Sequence, residues 1–164
     1  MSNCVLPALA LLTLAVRVVA ADPSPVVNPR RVTGSVAAYA GDLDFCVAET
    51  NGYRASIGRS ALVRSVVLES YAAAAAPHDG SARAVHQYFH KTRGGGVAFA
   101  ENQLPWWPLP QYGSVREVIR HGMAMMWAEG RGGGHYENIV GRYTEVGCGV
   151  FIDGPNVTVV QAFR

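Results

Sequence analysis

The C-terminal twenty residues constrain the fold most strongly, because they predict two β-strands that pair with each other. Apolar runs at 145–152 and 157–163 are separated by Asp-Gly-Pro-Asn at 153–156. Such a turn sequence between two strand-like runs is typical of a β-hairpin. The domain is therefore expected to contain an antiparallel sheet.

Upstream of this hairpin the sequence alternates between runs of helical periodicity and breaks at glycine or proline. Helices are predicted from Asp42 or Asp44 to Gly58, over 61–76, over 81–91 and after the cap Ser114. In the last of these, an apolar stripe that includes two methionines is interpreted as core; its members are Val115, Val118, Ile119, Met123 and Met126.

Between the third and fourth of these helices, residues 97–100 predict a short buried strand. Three prolines at 105, 108 and 110 predict that the segment 105–110 is irregular, because each removes a backbone donor and fixes φ. The 18 glycines and 9 prolines of the chain are too many for a helical bundle. The pattern therefore indicates an α+β domain in which helices cover the faces of a sheet.

The N-terminus has the composition of an export signal. Residues 5–16 are apolar apart from one threonine, and small residues at 18–21 offer a cleavage site before Asp22. This run is shorter than the ~20 residues that span a bilayer, so a cleaved signal peptide at 1–21 is favoured over an uncleaved anchor. We predict an extended leader at 22–41 and one domain at 42–164.

Such a protein is expected to be secreted, or periplasmic if its source is a Gram-negative bacterium, with no stable membrane span after cleavage. The chain has 14 basic and 12 acidic residues, and removing 1–21 takes away only Arg17, which lowers the formal net charge from +2 to +1. Its basic residues are scattered, whereas a nucleic-acid-binding surface requires a basic cluster. No nucleic-acid partner is therefore expected.

Two cysteines remain after signal cleavage, Cys46 and Cys148. In an oxidising compartment they could form one disulfide that closes a loop of about 100 residues. Two buried free thiols are the alternative, because the sequence does not show whether the two Cα atoms come close enough.

The candidate metal-binding or catalytic residues of this sequence are histidines and glutamates. His86, His90, Glu101, Glu129 and His135 are residue types that hold a divalent metal or activate water bound to it. A metalloprotease helix of the His-Glu-x-x-His type is excluded, because glutamine follows His86. No Gly-x-Ser-x-Gly motif is present, and neither cysteine lies near a histidine in the sequence.

Four short segments follow one another in an order that resembles a known protein family. They are Thr-Asn-Gly-Tyr-Arg at 50–54, Ala-Glu-Asn at 100–102, Gly-His-Tyr-Glu-Asn-Ile-Val at 134–140 and Val-Gly-Cys-Gly at 146–149. These segments resemble motifs of the CAP superfamily of cysteine-rich secretory, antigen five and plant pathogenesis-related proteins, and its bacterial members most closely. The resemblance implies a three-layer α-β-α sandwich with a central antiparallel sheet and an open cleft.

In that family two histidines and two glutamates converge in the cleft. The resemblance assigns Glu101 and His135 through their motifs, and Glu129 through Met-Trp-Ala-Glu at 126–129, which is similar to the family's Trp-x-x-Glu. Asn138 stands where the family has glutamine, and Gly141 where it has tryptophan.

The first histidine falls on His90, because Tyr-Phe-His at 88–90 resembles the Tyr-Phe-x-His of bacterial members. His86, one turn earlier, is the alternative. Zn²⁺ is the expected metal, with His90 and His135 as its ligands in one cleft. The other expected cleft residues are Glu101, Glu129, Asn102, Tyr136 and Asn138.

The resemblance implies less about activity, since family members include sterol or lipid carriers, venom components and defence proteins. We expect a non-enzymatic binding protein that takes up Zn²⁺ and a small apolar or lipid-like ligand, such as a lipid, a sterol or a cell-envelope component. The alternative is a metal-dependent hydrolase, a peptidase or esterase, in which Glu101 or Glu129 activates water. A third hypothesis is a hydrogen-bond network that only stabilises the cleft.

Trp106 and Trp107 lie side by side between prolines. In an extended segment their indoles point to opposite faces, and an exposed indole is a common platform for a lipid or carbohydrate. The alternative is that one indole anchors the core while the other covers the edge of the sheet.

Overall fold

The structure, a computed structural model, describes residues 37–164, so the predicted signal peptide and most of the predicted leader lie outside the described residues. Among residues 37–164, no helix is both long and apolar enough to cross a membrane. The elements are, in order, α1 (Ala40–Ser56), β1 (Val63–Arg64), α2 (Val66–Ala82), α3 (Gln87–Thr92), a 3-10 turn (Gly94–Gly96), β2 (Ala100–Pro108), α4 (Leu109–Tyr112), α5 (Val115–Ala128), α6 (Gly134–Val140), β3 (Glu145–Asp153) and β4 (Asn156–Phe163).

The four strands form one sheet in the order β1-β3-β4-β2. Strand β4 is antiparallel to both of its neighbours, and the two-residue strand β1 runs parallel to β3 at the other edge. The predicted hairpin is confirmed, with Asp153 paired to Asn156 across a two-residue loop. The sheet is thus antiparallel at its centre, and β2 forms one edge.

Side chains alternate between the two faces of the sheet, and each face is covered by helices. From β3, Val146, Cys148 and Val150 enter a core with α1, α5 and α6. On the opposite face Val160 and Ala162 of β4 pack against α2. The predicted three-layer α-β-α sandwich is therefore confirmed.

Helix α5 follows its prediction closely. The hydroxyl of Ser114 accepts a hydrogen bond from the backbone N–H of Glu117, which is an N-cap. The predicted apolar stripe is buried, and Met123 and Met126 are 2% and 4% exposed. The methionines are therefore core residues, as predicted.

A disulfide joins α1 to β3. Cys46 and Cys148 are both buried, their Cα atoms are 6.5 Å apart, and 102 positions separate them in the sequence. The bridge thus connects one helical layer to the central sheet.

The start of α1 differs from the prediction. The helix begins at Ala40, inside the predicted leader, and Asp42 and Asp44 are not its N-cap. The cap position is Tyr39, whose carbonyl accepts the backbone N–H groups of Asp42 and Leu43. Asp42 lies in the first turn instead, where a negative charge complements the helix dipole.

The second helix is shifted relative to its prediction of 61–76. Residues 63–64 form β1 instead, because the backbone N–H groups of Val63 and Ser65 donate to carbonyls of Thr144 and Val146. Pro77 does not end α2, which continues to Ala82. Hydrogen bonds to a distant strand thus override the local helical pattern.

The predicted helix 81–91 is broken. Arg83 and His86 both adopt left-handed backbone angles, with φ of +52° and +59°, and α3 begins only at Gln87. The buried Asp79 carboxylate accepts the backbone N–H of Tyr88, which holds the start of α3 against α2. His86 and His90 therefore do not lie on one continuous helix.

The proline-rich segment is more regular than predicted. Strand β2 runs through Pro105 to Pro108, with a bulge between Leu104 and Trp107. An edge strand pairs on one side only, so it tolerates residues without an N–H donor. The strand also starts later than predicted, at Ala100.

Candidate functional site

The first of two imidazole–carboxylate pairs joins His86, just before α3, to Glu101 on β2. Nδ1 of His86 lies 2.9 Å from Oε1 of Glu101, whose side chain is almost fully buried. A carboxylate oxygen accepts, so the ring nitrogen that faces it carries the proton. Nε2 of His86 is then the nitrogen with a free lone pair.

Polar groups from α2 and β2 surround the Glu101 carboxylate. Nε2 of Gln103 donates to Oε1 of Glu101 at 2.8 Å, and the Tyr71 hydroxyl lies 3.5 Å from Oε2. Burial, and then the charge of Glu101, raises the pKa of Tyr71 above its ordinary value. Tyr71 therefore stays protonated and acts as a donor.

The second pair joins His135, at the start of α6, to Glu129, directly after α5. Nδ1 of His135 lies 2.5 Å from Oε1 of Glu129, and the His135 backbone N–H donates to Oε2 at 3.1 Å. The hydrogen bond from His135 lowers the pKa of Glu129. Gly133 is required here, because a Cβ would collide with the Glu129 side chain.

Both pairs line one open cavity of about 510 Å³, together with Asn138 and the glycines at 133 and 134. The cavity lies at the β2 edge, where the two helical layers meet. His86 comes from the α2–α3 layer and His135 from the α5–α6 layer. Each layer therefore contributes one imidazole and one side of the cleft.

Two asparagines link helix α6 to strand β2 beneath the cavity. Nδ2 of Asn138 donates to Oδ1 of Asn102 at 2.8 Å and to the carbonyl of Glu101 at 3.2 Å. Nδ2 of the buried Asn102 donates to the carbonyl of His135 at 3.3 Å. The backbones that carry His135 and Glu101 are thus held together by amide hydrogen bonds.

The family model for the cysteine-rich secretory protein family, CAP, matches residues 47–163. This match covers well over half of the chain. The chain belongs to the CAP family. No match to an individual curated protein was found. The closeness to bacterial members stays a prediction.

Of the two histidines that the sequence offers for the first cleft position, His86 lines the cavity of the CAP domain and His90 does not. His90 is exposed, is not among the residues that line the cavity, and has its ring centroid 6.5 Å from that of His86. His86, the alternative that the sequence leaves open, lines the cavity together with His135. The reason is the left-handed break at Arg83 and His86, which turns His86 toward β2.

Tyr136 differs from its predicted role, whereas the two adjacent tryptophans take the predicted orientations. Tyr136 packs on Trp127, with ring centroids 4.8 Å apart, and does not line the cavity. Nε1 of Trp106 donates to the carbonyl of Gly80, whereas Trp107 packs beside Tyr112 against the opposite core. Both indoles are half-buried and lie on opposite faces, as predicted for an extended segment, and their role as a ligand platform stays a prediction.

The donor set of the CAP cleft fits a metal held by two imidazoles. Within residues 37–164 no group of three or more His, Cys, Asp or Glu side chains is arranged around a common metal position. Glu101 and Glu129 each bind a histidine Nδ1, as carboxylates behind metal-binding imidazoles commonly do. Nε2 of His86 and Nε2 of His135 are thus the ring nitrogens that neither glutamate engages, and the glutamates orient the two rings.

Sequence reasoning missed the residues that support the His86 pair, namely Tyr71, Asp79 and Gln103. One signal was available for Gln103: residues two apart on a strand share a face, so Gln103 had to lie beside Glu101. Nothing in the local sequence indicated Tyr71 or Asp79, which come from α2 through tertiary packing.

Proposed function

We propose that this CAP-domain protein is an exported binding protein whose cleft takes up Zn²⁺ through His86 and His135. The observation that carries the proposal is the pairing of both cleft imidazoles, through Nδ1, with a carboxylate. Such pairing fixes the tautomer and the ring orientation and increases the basicity of Nε2. Zn²⁺ favours imidazole nitrogen, and two protein ligands leave coordination positions for water or for a donor atom of a ligand.

The binding function is favoured over hydrolysis by the state of the two carboxylates. A metal-dependent hydrolase needs a carboxylate that is free to accept a proton from the attacking water. Glu101 is enclosed by His86 and Gln103, and Glu129 accepts both the ring and the backbone N–H of His135. Both glutamates are therefore engaged in orienting histidines.

Export is supported by the apolar segment at 5–16 and by the Cys46–Cys148 bridge, because disulfides persist in oxidising compartments. We therefore propose an extracellular or periplasmic location for the mature protein.

For a small apolar ligand, such as a lipid, a sterol or a cell-envelope component, a second cavity is better suited than the polar cleft. This cavity of about 380 Å³ lies between α1 and α5 and is lined by Tyr53 and Trp127. Their rings are stacked with centroids 5.0 Å apart and offer aromatic faces, whereas no tyrosine, tryptophan or phenylalanine lines the imidazole cleft. We expect an apolar ligand to bind there.

Titration of the metal-free protein with Zn²⁺ or Co²⁺, followed by calorimetry and by the Co²⁺ absorption spectrum, tests the zinc proposal. We expect His86→Ala and His135→Ala each to weaken binding at least about tenfold, because each removes a ligand. His90→Ala is the matched control, an exposed histidine four residues from His86, and should change affinity less than twofold. Equal losses in all three variants, or no binding by the parent protein, would contradict the proposal.

A panel of peptide and ester substrates decides between binding and hydrolysis. We expect no turnover by the zinc-loaded parent protein. Zinc-dependent turnover that is abolished in Glu101→Gln or Glu129→Gln without a change in melting temperature would establish the hydrolase alternative instead.

A further inference from the structure

Gln103 occupies an unusual position beneath the cleft, between two buried carboxylates. Its Nε2 donates to Oδ2 of Asp79 at 2.6 Å and to Oε1 of Glu101 at 2.8 Å. Asp79 and the Glu101 side chain are each 1% exposed, and Gln103 is 3% exposed. One amide group therefore satisfies both carboxylates with its two N–H donors.

The other end of the same amide acts directly on His86. Oε1 of Gln103 accepts the backbone N–H of His86 at 3.2 Å. His86 has a φ of +59°, a left-handed conformation that costs free energy for a residue other than glycine and needs support from its surroundings. Gln103 thus contacts the strained backbone of His86 and the carboxylate that orients its ring.

Asp79 fixes the orientation of the Gln103 amide, so that its oxygen and nitrogen cannot exchange places. Oδ1 of Asp79 accepts the backbone N–H of Tyr88 at 2.8 Å and lies 2.9 Å from Nδ1 of His78. Its Oδ2 accepts a hydrogen bond from the Gln103 amide. If that amide were rotated by 180°, its oxygen would face the carboxylates of Asp79 and Glu101, and its N–H₂ group would face the backbone N–H of His86. Only one orientation of the Gln103 side chain satisfies all three neighbours.

We propose that Gln103, held by Asp79, is the positioning residue of the His86 half of the cleft. Its amide holds the Glu101 carboxylate against Nδ1 of His86, so that Nε2 stays directed into the cavity as the open nitrogen. The inference rests on the proposed function only in naming Zn²⁺ as the species that Nε2 binds. Gln103 makes no contact with the pair of Glu129 and His135, so its effect is confined to one of the two imidazoles.

The test combines zinc affinity with the ring-nitrogen chemical shifts of the histidines, read by long-range ¹H–¹⁵N correlation in the metal-free protein. Gln103→Met removes both ends of the amide at similar side-chain length. We expect the His86 signals to move from the Nδ1–H tautomer toward a mixture, with His135 unchanged. Loss of a group that orients a metal ligand typically weakens metal affinity about ten- to a hundredfold. We expect the zinc Kd to increase by a factor in this range.

Asp79→Asn is the second variant. The side chain at position 79 contacts neither His86 nor Glu101. It keeps an oxygen for the backbone N–H of Tyr88 but can turn an N–H₂ toward Gln103, so a change at His86 that both variants share is transmitted through Gln103. We expect the same change of His86 tautomer as in Gln103→Met, with a smaller loss of zinc affinity.

Val150→Ala provides the control for general destabilisation, because Val150 is buried in the opposite core and makes no polar side-chain contact. It should lower the melting temperature while leaving the tautomers of both histidines and the zinc Kd within twofold. Unchanged His86 signals in Gln103→Met and Asp79→Asn would overturn the proposal, as would equal changes at His86 and His135. If the parent protein binds no zinc, the proposed function fails, yet the signals of the metal-free protein still decide the role of Gln103.

Discussion

Arg54 connects the end of α1 to the end of the helix that carries His135. Its guanidinium donates to the carbonyls of Ser60, Ile139 and Gly141 at 2.7–2.9 Å, and the residue is 3% exposed. Two of these carbonyls lie at the C-terminus of α6, where helix carbonyls lack partners within the helix. Burial lowers the pKa of Arg54, yet an arginine stays charged, and a cation at this end complements the helix dipole.

Arg54→Ala should reduce the free energy of unfolding by about 2 to 5 kcal/mol, because it leaves three carbonyls without their shared donor. Chemical denaturation measures the change. Arg59→Ala, at an exposed arginine five residues further on, is the matched control and should change stability by less than about 0.5 kcal/mol. Similar losses in both variants would show that the carbonyl contacts contribute nothing specific.

At the scale of the element, the backbone of α2 lies almost directly on strand β3. A Cβ at Gly147 would overlap the backbone of Leu68 and Glu69, and one at Gly149 would overlap the backbone of Ala72 and Ala73. The glycines of β3 therefore face α2, whereas its valines and Cys148 face the other core. A run of alanines on α2 completes this close contact.

Gly149→Ala should destabilise the protein by about 3 kcal/mol or more, because the rigid backbone of α2 cannot move aside as a flexible side chain would. Gly52→Ala is the matched control: it lies in α1 with open space around the position of a Cβ. That variant should be neutral or up to about 1 kcal/mol more stable, because alanine favours the helix. Thermal and urea unfolding of the two variants compare these outcomes.

The same elements show what could be predicted from the sequence. The hairpin β3–β4 and helix α5 carry their signals locally, in a turn sequence, a cap and an apolar stripe, and both were predicted well. Strand β1 and the break before His86 arise from hydrogen bonds to Thr144, Val146 and Asp79, which are tertiary contacts that no short window contains. The sequence and the family resemblance predict the residue types of the cleft. They do not decide between His86 and His90, because that choice depends on the break in the chain before His86.

At the scale of the whole molecule, the disulfide joins α1 to the sheet between two cysteines that are 102 positions apart in the sequence. The chain-entropy model assigns about 4 to 5 kcal/mol to a bridge that closes a loop of this length. We expect the unfolded protein to show no reactive thiol from Cys46 or Cys148 without reductant, and to lose much of its stability when reduced.

Thiol labelling under denaturing conditions, with and without reductant, and the melting temperature in each state measure these outcomes. The matched control is the double variant Cys46→Ala and Cys148→Ala, whose melting temperature should not respond to reductant. Two reactive thiols per mature chain without reductant would show that the bridge does not form.

The bridge also makes the segment between Cys46 and Cys148 a covalent ring. His86, Glu101, Glu129 and His135 all lie inside this ring. A single cut of the peptide backbone anywhere in it opens the ring but separates no fragment, so a nicked molecule keeps every cleft residue attached. The two pieces part only when a second cut or a reductant follows.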